Sequence, residues 1–283
     1  MTKKRSTLRR ASRFIAGSLI LLWTLVPVYW ALVVSLMKPV GLQSTPPSLI
    51  PRPFTLANYQ SLLDGSSATS VPFLQALRNS AIESLGTTAF TVTIALLAAY
   101  AFARWKFPGS NVLFLAILAT IALPLYAVLI PLFQLTSQLH QVNTYRAVIL
   151  INASASLPLA TWLLRSHVAA IPRAIEEAAR IDGARVLTVI WRITAPLIAP
   201  GLTAAAVFVF LTTWGAYLIP LAFAPTLHAE PITVLIPQYT TRYAENFGLQ
   251  AAAGLIALIP PAAVVVWLNR YLLHGLLSGA VNG

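Results

Sequence analysis

The stretch IEEAARIDGARVLTVIWRITAP, Ile175 to Pro196, decides how the rest of the chain is read. It holds three acids, Glu176, Glu177 and Asp182, and three arginines, Arg180, Arg185 and Arg192, in a chain of 283 residues with only 7 acids in all. On either side lie uncharged apolar runs, Ala147–Leu164 and Leu197–Ile219. Each is close to the roughly 20 residues that a helix needs to cross a bilayer. The charged window is therefore the polar connection between two spans.

Working outward, four more apolar runs appear at Phe14–Met37, Ala81–Ala103, Val112–Gln134 and Ala251–Leu272, with Glu83 and Arg270 their only charges. The expectation is an all-α integral membrane protein with six transmembrane helices. Composition agrees: 58% of the residues are apolar and 9% charged, against about 25% charged in soluble domains. Pro27, Pro124, Pro131, Pro158, Pro200, Pro260 and Pro261 fall within spans and predict kinks. Neighbouring helices in a bundle can satisfy the backbone groups that a proline frees. The domain plan is a basic tail over 1–13, a six-span domain over 14–272 containing the charged loop 172–196, and a second tail over 273–283.

The 19 basic residues set the orientation. With the N-terminus inside, Lys3, Lys4, Arg5, Arg9, Arg10, Arg13, Arg104, Lys106, Arg165, Arg173, Arg180, Arg185, Arg192 and Arg270 are cytoplasmic. Only Lys38, Arg52, Arg78, Arg146 and Arg242 are outside. The positive-inside rule favours this arrangement, which makes both termini cytoplasmic. The same reading accounts for the net charge of +12 without nucleic acid, because the basic residues lie between spans and are not interleaved with aromatics on a soluble face. The first apolar run is too long for a signal peptide and reads as a retained anchor.

Several chemistries are excluded or unsupported. There is no cysteine, hence no disulfide and no thiolate site. His140, His167, His228 and His274 are scattered without metal-ligand spacing. No GxxxxGK[ST] phosphate loop is present, so the chain carries no such nucleotide site of its own. No nucleophile–histidine–acid set or carboxylate pair stands out, and the chain reads as a non-enzyme.

Within the charged window, Pro172 suits a helix start and Gly183 a helix stop. A helix is expected from Arg173 to Asp182, supported by Glu176 and Arg180 at i,i+4. Ile175, Ala178 and Ala179 fall on one narrow face. A second short helix is expected from Arg185 to Thr194. Small alanines permit close approach by a partner, and a helix–glycine–helix unit can pass a partner's movement into the flanking spans.

The pattern Glu177-Ala178-Ala179, then Gly183, Ile193 and Pro196, resembles the EAA loop of ABC importer permeases. Ala195 stands where leucine is usual. The run WLLRSHVAAIPRAIEEAARIDGA (Trp162–Ala184) is similar to the second permease subunit of maltose-type carbohydrate importers. ANYQSLL (Ala57–Leu63), ALRNSAIES (Ala76–Ser84), AAYAFARWKFPG (Ala98–Gly109), VNTYRAVIL (Val142–Leu150) and GLLSGAVNG (Gly275–Gly283) extend the likeness along nearly the whole chain. Gly215 and Ala216 replace a polar pair usual in span five, and Asn282 a usual lysine.

The resemblance implies a bacterial or archaeal cytoplasmic membrane location. It makes the loop between spans four and five a cytoplasmic coupling helix that docks on an ABC ATPase dimer. It implies a second permease, an extracytoplasmic substrate-binding protein and a sugar or oligosaccharide substrate. ATP and Mg would sit on the ATPase, with no cofactor on this chain. The coupling residues are then Glu176, Glu177, Ala178, Ala179, Arg180, Asp182, Gly183, Ile193 and Pro196. Candidates for the translocation path are Glu83, Asn152, Ser154, Ser156, Thr161, Trp214 and Tyr217, the polar and aromatic residues within spans. For Glu83 the competing expectation is a carboxylate at the membrane edge paired with Arg78 or Asn79. The alternative function is an ion-coupled secondary transporter without an ATPase, for which Glu83 is the ionisable candidate. A membrane-embedded enzyme is a third reading, and it lacks a visible catalytic cluster.

Overall fold

The computed structural model describes residues 2–46, 48–240 and 246–280, with side-chain surroundings given for 13–268 apart from Leu125 and the gaps. Arg242 and Asn282 lie outside the described residues. In chain order the helices are α1 (Thr2–Ser35), α2 (Pro39–Leu42), α3 (Ala57–Leu63), α4 (Ser70–Arg104), α5 (Ser110–Ala119), α6 (Leu125–Gln138), α7 (Tyr145–Ala170) and α8 (Arg173–Ile181). They continue with α9 (Val186–Val189), α10 (Ala195–Leu197), α11 (Ala199–Trp214), α12 (Leu218–Phe223), α13 (Ile232–Leu235) and α14 (Phe247–Ala280). Helix α1 takes in the segment expected as the first tail, and α14 continues into the second.

Among the described residues, four helical segments are long and apolar enough to cross a membrane: Arg13–Ser35, Ser70–Arg104, Tyr145–Ala170 and Phe247–Leu268. Two further spans arise only if bent pairs are joined, Ser110–Ala122 with Tyr126–Gln138 at 100° and Val186–Leu197 with Ala199–Trp214 at 86°. The third expected span, Val112–Gln134, is thus broken. Pro124 donates no backbone hydrogen bond and pushes the residue before it out of the helical region. Leu123 accordingly sits at φ −69°, ψ 126°. The fifth, Leu197–Ile219, is shortened: Ile198 (φ −100°, ψ 19°) forms the bend, and the helix ends at Gly215.

The chain divides into two compact units, 1–74 with 236–258 and 75–235 with 259–283. In the first, the segment after α1 folds back on its end. Lys38 N–H donates to Pro53 O at 3.1 Å and Thr55 N–H to Leu36 O at 2.8 Å. Asn58 then donates to Ser35 O at 2.8 Å, and the Tyr59 and Ser35 hydroxyls meet at 2.7 Å. The α3 helix ends at Asp64, whose Oδ1 accepts the N–H groups of Ser66 and Ser67, both at 3.0 Å.

In the second unit, α4, α7 and α11 share one apolar core. Ala95, Leu96, Ala99 and Tyr100 of α4 meet Ala160, Leu164 and Val168 of α7 and Ala205 and Val209 of α11. The three- and four-residue spacing within each set is the apolar stripe of a packed helix. Small residues let the backbones approach. A Cβ at Gly201 would lie 2.6 Å from the His167 ring, so α11 meets α7 there only because the position is glycine. At the Asn79 end of α4, the Asn79 amide donates to Leu227 O and Glu230 O, both at 2.9 Å. Its oxygen accepts from the Tyr145 hydroxyl at 2.7 Å.

Candidate functional site

The connection from α7 to α11 is built from short helices. Pro172 is extended (φ −58°, ψ 129°) and opens α8, with Glu176 in the first turn and Arg180 in the last. Both charges suit the helix dipole. At the other end Gly183 adopts φ +84°. Its N–H donates to Arg180 O at 3.0 Å, and Ala184 N–H donates to Ala179 O at 2.9 Å. This pair of bonds closes the helix and needs a residue that accepts positive φ. The following run, 186–197, is helical throughout, with a π-helical turn at Ile190–Thr194.

Glu176 points inward. The residue is 4% exposed. Its Oε1 accepts from Arg104 at 2.8 Å, and its Oε2 accepts from the Tyr100 hydroxyl at 3.0 Å. The Thr194 hydroxyl approaches Oε1 at 3.4 Å. Arg104 also donates to Ile171 O at 3.0 Å, and Arg180 donates to the Tyr100 hydroxyl at 3.1 Å. One buried cluster therefore ties the end of α4, the α7–α8 link, α8 and the π turn together.

The opposite face of α8 is open. Ala174, Glu177, Ala178 and Ile181 are exposed, Ile181 at 87%. Their spacing of three, four and seven makes one stripe. Glu177 makes no hydrogen bond or ion pair with a described residue. Of the face expected at Ile175, Ala178 and Ala179, Ile175 and Ala178 are exposed and Ala179 is half-buried. Asp182, Gly183 and Pro196 are exposed, and Ile193 is half-buried.

The path candidates are not gathered in the same way. Asn152 Nδ2 donates to Val148 O at 3.0 Å, Ser154 to Ile151 O at 2.7 Å and Thr161 to Leu157 O at 2.8 Å. Each of these three bonds stays within α7. Ser156 is buried in α7, and Trp214 is buried and stacked on Phe210 with ring centroids 5.6 Å apart. Tyr217 is exposed just before α12. Glu83 is buried without a bond to Arg78 or Asn79: Arg78 is exposed, and Asn79 is occupied as described above.

Tyr100, Arg104 and Thr194 complete the cluster and are not among the site residues that the sequence singles out. The sequence marks Arg104 only as a topology charge. The available signal is a guanidinium at a span end and an acid-rich window expected on the same side of the membrane.

The chain resembles known transport proteins along its length. Residues 91–277 match the family of binding-protein-dependent transport system inner membrane components. The sulfoquinovosyl glycerol transport system permease SmoH of Agrobacterium fabrum is 32% identical over 96% of this chain and 93% of its own. The trehalose transport system permease SugB of Mycobacterium tuberculosis is 34% identical, covering 97% and 99%. The trehalose/maltose transport system permease MalG of Thermococcus litoralis is 31% identical, covering 99% of both. The fold matches a chain of a bacterial ABC transporter that imports the acidic polysaccharide alginate, with a TM-score of 0.76 at 17% identity over 93% of this chain and 96% of that one. These matches displace the ion-coupled and enzymatic alternatives. This all-helical membrane protein belongs to the inner membrane components of binding-protein-dependent transport systems and is a permease subunit of an ABC importer.

Proposed function

We propose that the chain is one of two permeases in an ATP-driven importer of a sugar or oligosaccharide, and that α8 is its coupling helix. The observation that carries the coupling role is the division of labour on α8. Glu176 anchors the helix to α4 through Arg104, while Glu177 stands unpaired on an exposed stripe with Ala174, Ala178 and Ile181. An ATPase dimer receives that stripe at the cytoplasmic face. Its closure pushes α8, and the buried cluster passes the push to α4. Asp182, Gly183, Ile193 and Pro196 shape the turn and second arm of the unit. ATP and Mg stay on the ATPase. An extracytoplasmic binding protein delivers substrate, and both termini are cytoplasmic, as the basic residues favour. The sugar class is supported by the transport names of the relatives, which include trehalose, maltose and alpha-glucosides.

The test is a pull-down of the tagged chain from its native membrane in mild detergent, followed by mass spectrometry. A stoichiometric ATPase and a second permease are expected. Recovery of the chain alone, from membranes that still transport, overturns the assembly.

A further inference from the structure

The segment that leaves α1 turns back along it. Tyr29 lies six residues before Ser35, about 9 Å down the helix axis from that end. Its hydroxyl donates to Leu49 O at 2.7 Å. Side chains on a helix lean toward its N-terminus, so the tyrosine ring does not reach back up toward Ser35. Leu49 is therefore held well below the end of α1. The spanning part of α1, Arg13–Ser35, has 23 residues, which is about 34 Å. A hydrocarbon core is about 30 Å thick. With that span centred, Ser35 stands at the edge of the core and Leu49 lies roughly 7 Å inside it.

The chemistry of the loop suits that depth. No charged residue lies between Lys38 and Arg52. Val40 is 77% exposed, Leu49 68%, Ile50 56% and Phe54 57%. Backbone at this depth is costly wherever a polar group lacks a partner. Pro39, Pro46, Pro51 and Pro53 have no N–H to satisfy. Gly41 N–H donates to Lys38 O at 2.9 Å, Ser44 Oγ to Gly41 O at 2.9 Å and Ser48 Oγ to Ile50 O at 2.6 Å. At the neck of the loop, Lys38 N–H bonds to Pro53 O, which brings Lys38 close to Arg52 near the end of α1. Both basic residues are exposed. We propose that Val40, Leu49, Ile50 and Phe54 dip into the lipid leaflet at the Ser35 end of α1, with Lys38 and Arg52 on the phosphates of its headgroups.

Depth and charge select the occupant. A water-soluble partner cannot follow Leu49 below the headgroups. Segments that lie on a membrane bury an apolar face about 5–10 Å into the headgroup–acyl boundary and draw anionic lipid to their basic residues. This loop has both parts in that order. It gives α1 a second attachment, and interfacial anchors set the tilt of a span. Which leaflet is entered rests on the proposed topology, which makes it the extracytoplasmic one. The insertion itself does not rest on it.

The test uses the assembled transporter in nanodiscs of phosphatidylethanolamine and phosphatidylglycerol. The chain has no cysteine. Leu49→Cys, Ile50→Cys and Lys38→Cys therefore each place a single nitroxide label on it, and the signal of the labelled parent assembly is subtracted. At positions 49 and 50 collisions with oxygen should exceed those with a water-soluble nickel complex. At position 38 the order should reverse. Labels at 49 and 50 that nickel reaches better than oxygen place the loop in water and overturn the proposal. Labels that neither reagent reaches are covered by protein, such as the companion permease, and overturn it equally. If Leu49→Cys does not assemble, Ile50→Cys and Val40→Cys decide by the same comparison. Sidedness is read separately, with a membrane-impermeant thiol reagent on intact cells. Failure to reach Lys38→Cys from outside, with positions 49 and 50 still oxygen-rich, would count against the proposed topology alone.

Discussion

Glu176 and Glu177 are neighbours in sequence, yet their carboxylates have opposite surroundings. Glu176 is buried on Arg104 at 2.8 Å, whereas Glu177 is exposed and unpaired among the described residues. Adjacent helical residues point about 100° apart, and α8 uses that angle to hold with one acid and present the other. Glu177→Lys should therefore leave the purified chain as stable as the parent. It should remove uptake and sharply reduce ATPase recovery in the pull-down. Normal uptake from a well-expressed Glu177→Lys chain would rule out the docking role.

Glu176 should behave in the reverse way. Removing one partner of a buried, hydrogen-bonded ion pair leaves the other charge stranded and costs about 3–5 kcal/mol. Glu176→Leu and Arg104→Met should each lower Tm and membrane yield strongly. The double replacement Arg104→Met with Glu176→Leu should recover a good part of that loss, since no buried charge is left behind. Thermal melts of the four chains in one detergent give the coupling. Additive losses would mean that the two residues act independently.

These two acids also show how far the sequence could be read. The spans at α4, α7 and α14 were legible because long apolar runs have no stable place in water. The start of α8 and its stop at Gly183 were legible from proline and glycine chemistry. Which acid faced inward was not. Periodicity assigns an apolar face, and here the buried position is filled by a carboxylate whose partner, Arg104, lies on another helix. The break before α6 was visible as Pro124, but whether a span kinks or turns by 100° depends on packing. The path residues shared only polarity, which does not say whether a hydroxyl faces a channel or its own backbone.

The loop after α3 offers a pH test. The Ser70 side chain, then the backbone N–H groups of Ser66 and Ser67, hold the Asp64 carboxyl down at about 2 from its ordinary 3.8. A carboxylate with a lowered folded pKa stabilises the fold at pH values above its unfolded pKa. That contribution disappears as the pH falls through the folded value. The Ser66 and Ser67 amides should therefore remain protected from hydrogen exchange down to about pH 4 and open progressively toward pH 2. Asp64→Asn should flatten this dependence. An identical profile in the variant would exclude Asp64 as the group responsible.

Gly183 separates backbone shape from side-chain chemistry in the coupling unit. Its φ of +84° closes α8 through Ala184 N–H on Ala179 O, and a Cβ there would meet no atom within 4 Å. Space does not restrict the position; only the dihedral does. Gly183→Ala should thus cost about 1–2 kcal/mol at the turn. Gly183→Asn should cost less, because asparagine tolerates the left-handed region. Gly183→Pro cannot adopt the angle and has no N–H for Arg180 O, so the exit from α8 must change course. Uptake should fall in the order glycine, asparagine, alanine, proline, with the chain still inserted in the membrane. An alanine variant that transports better than the asparagine one would show that bulk at this surface, and not the turn, limits coupling.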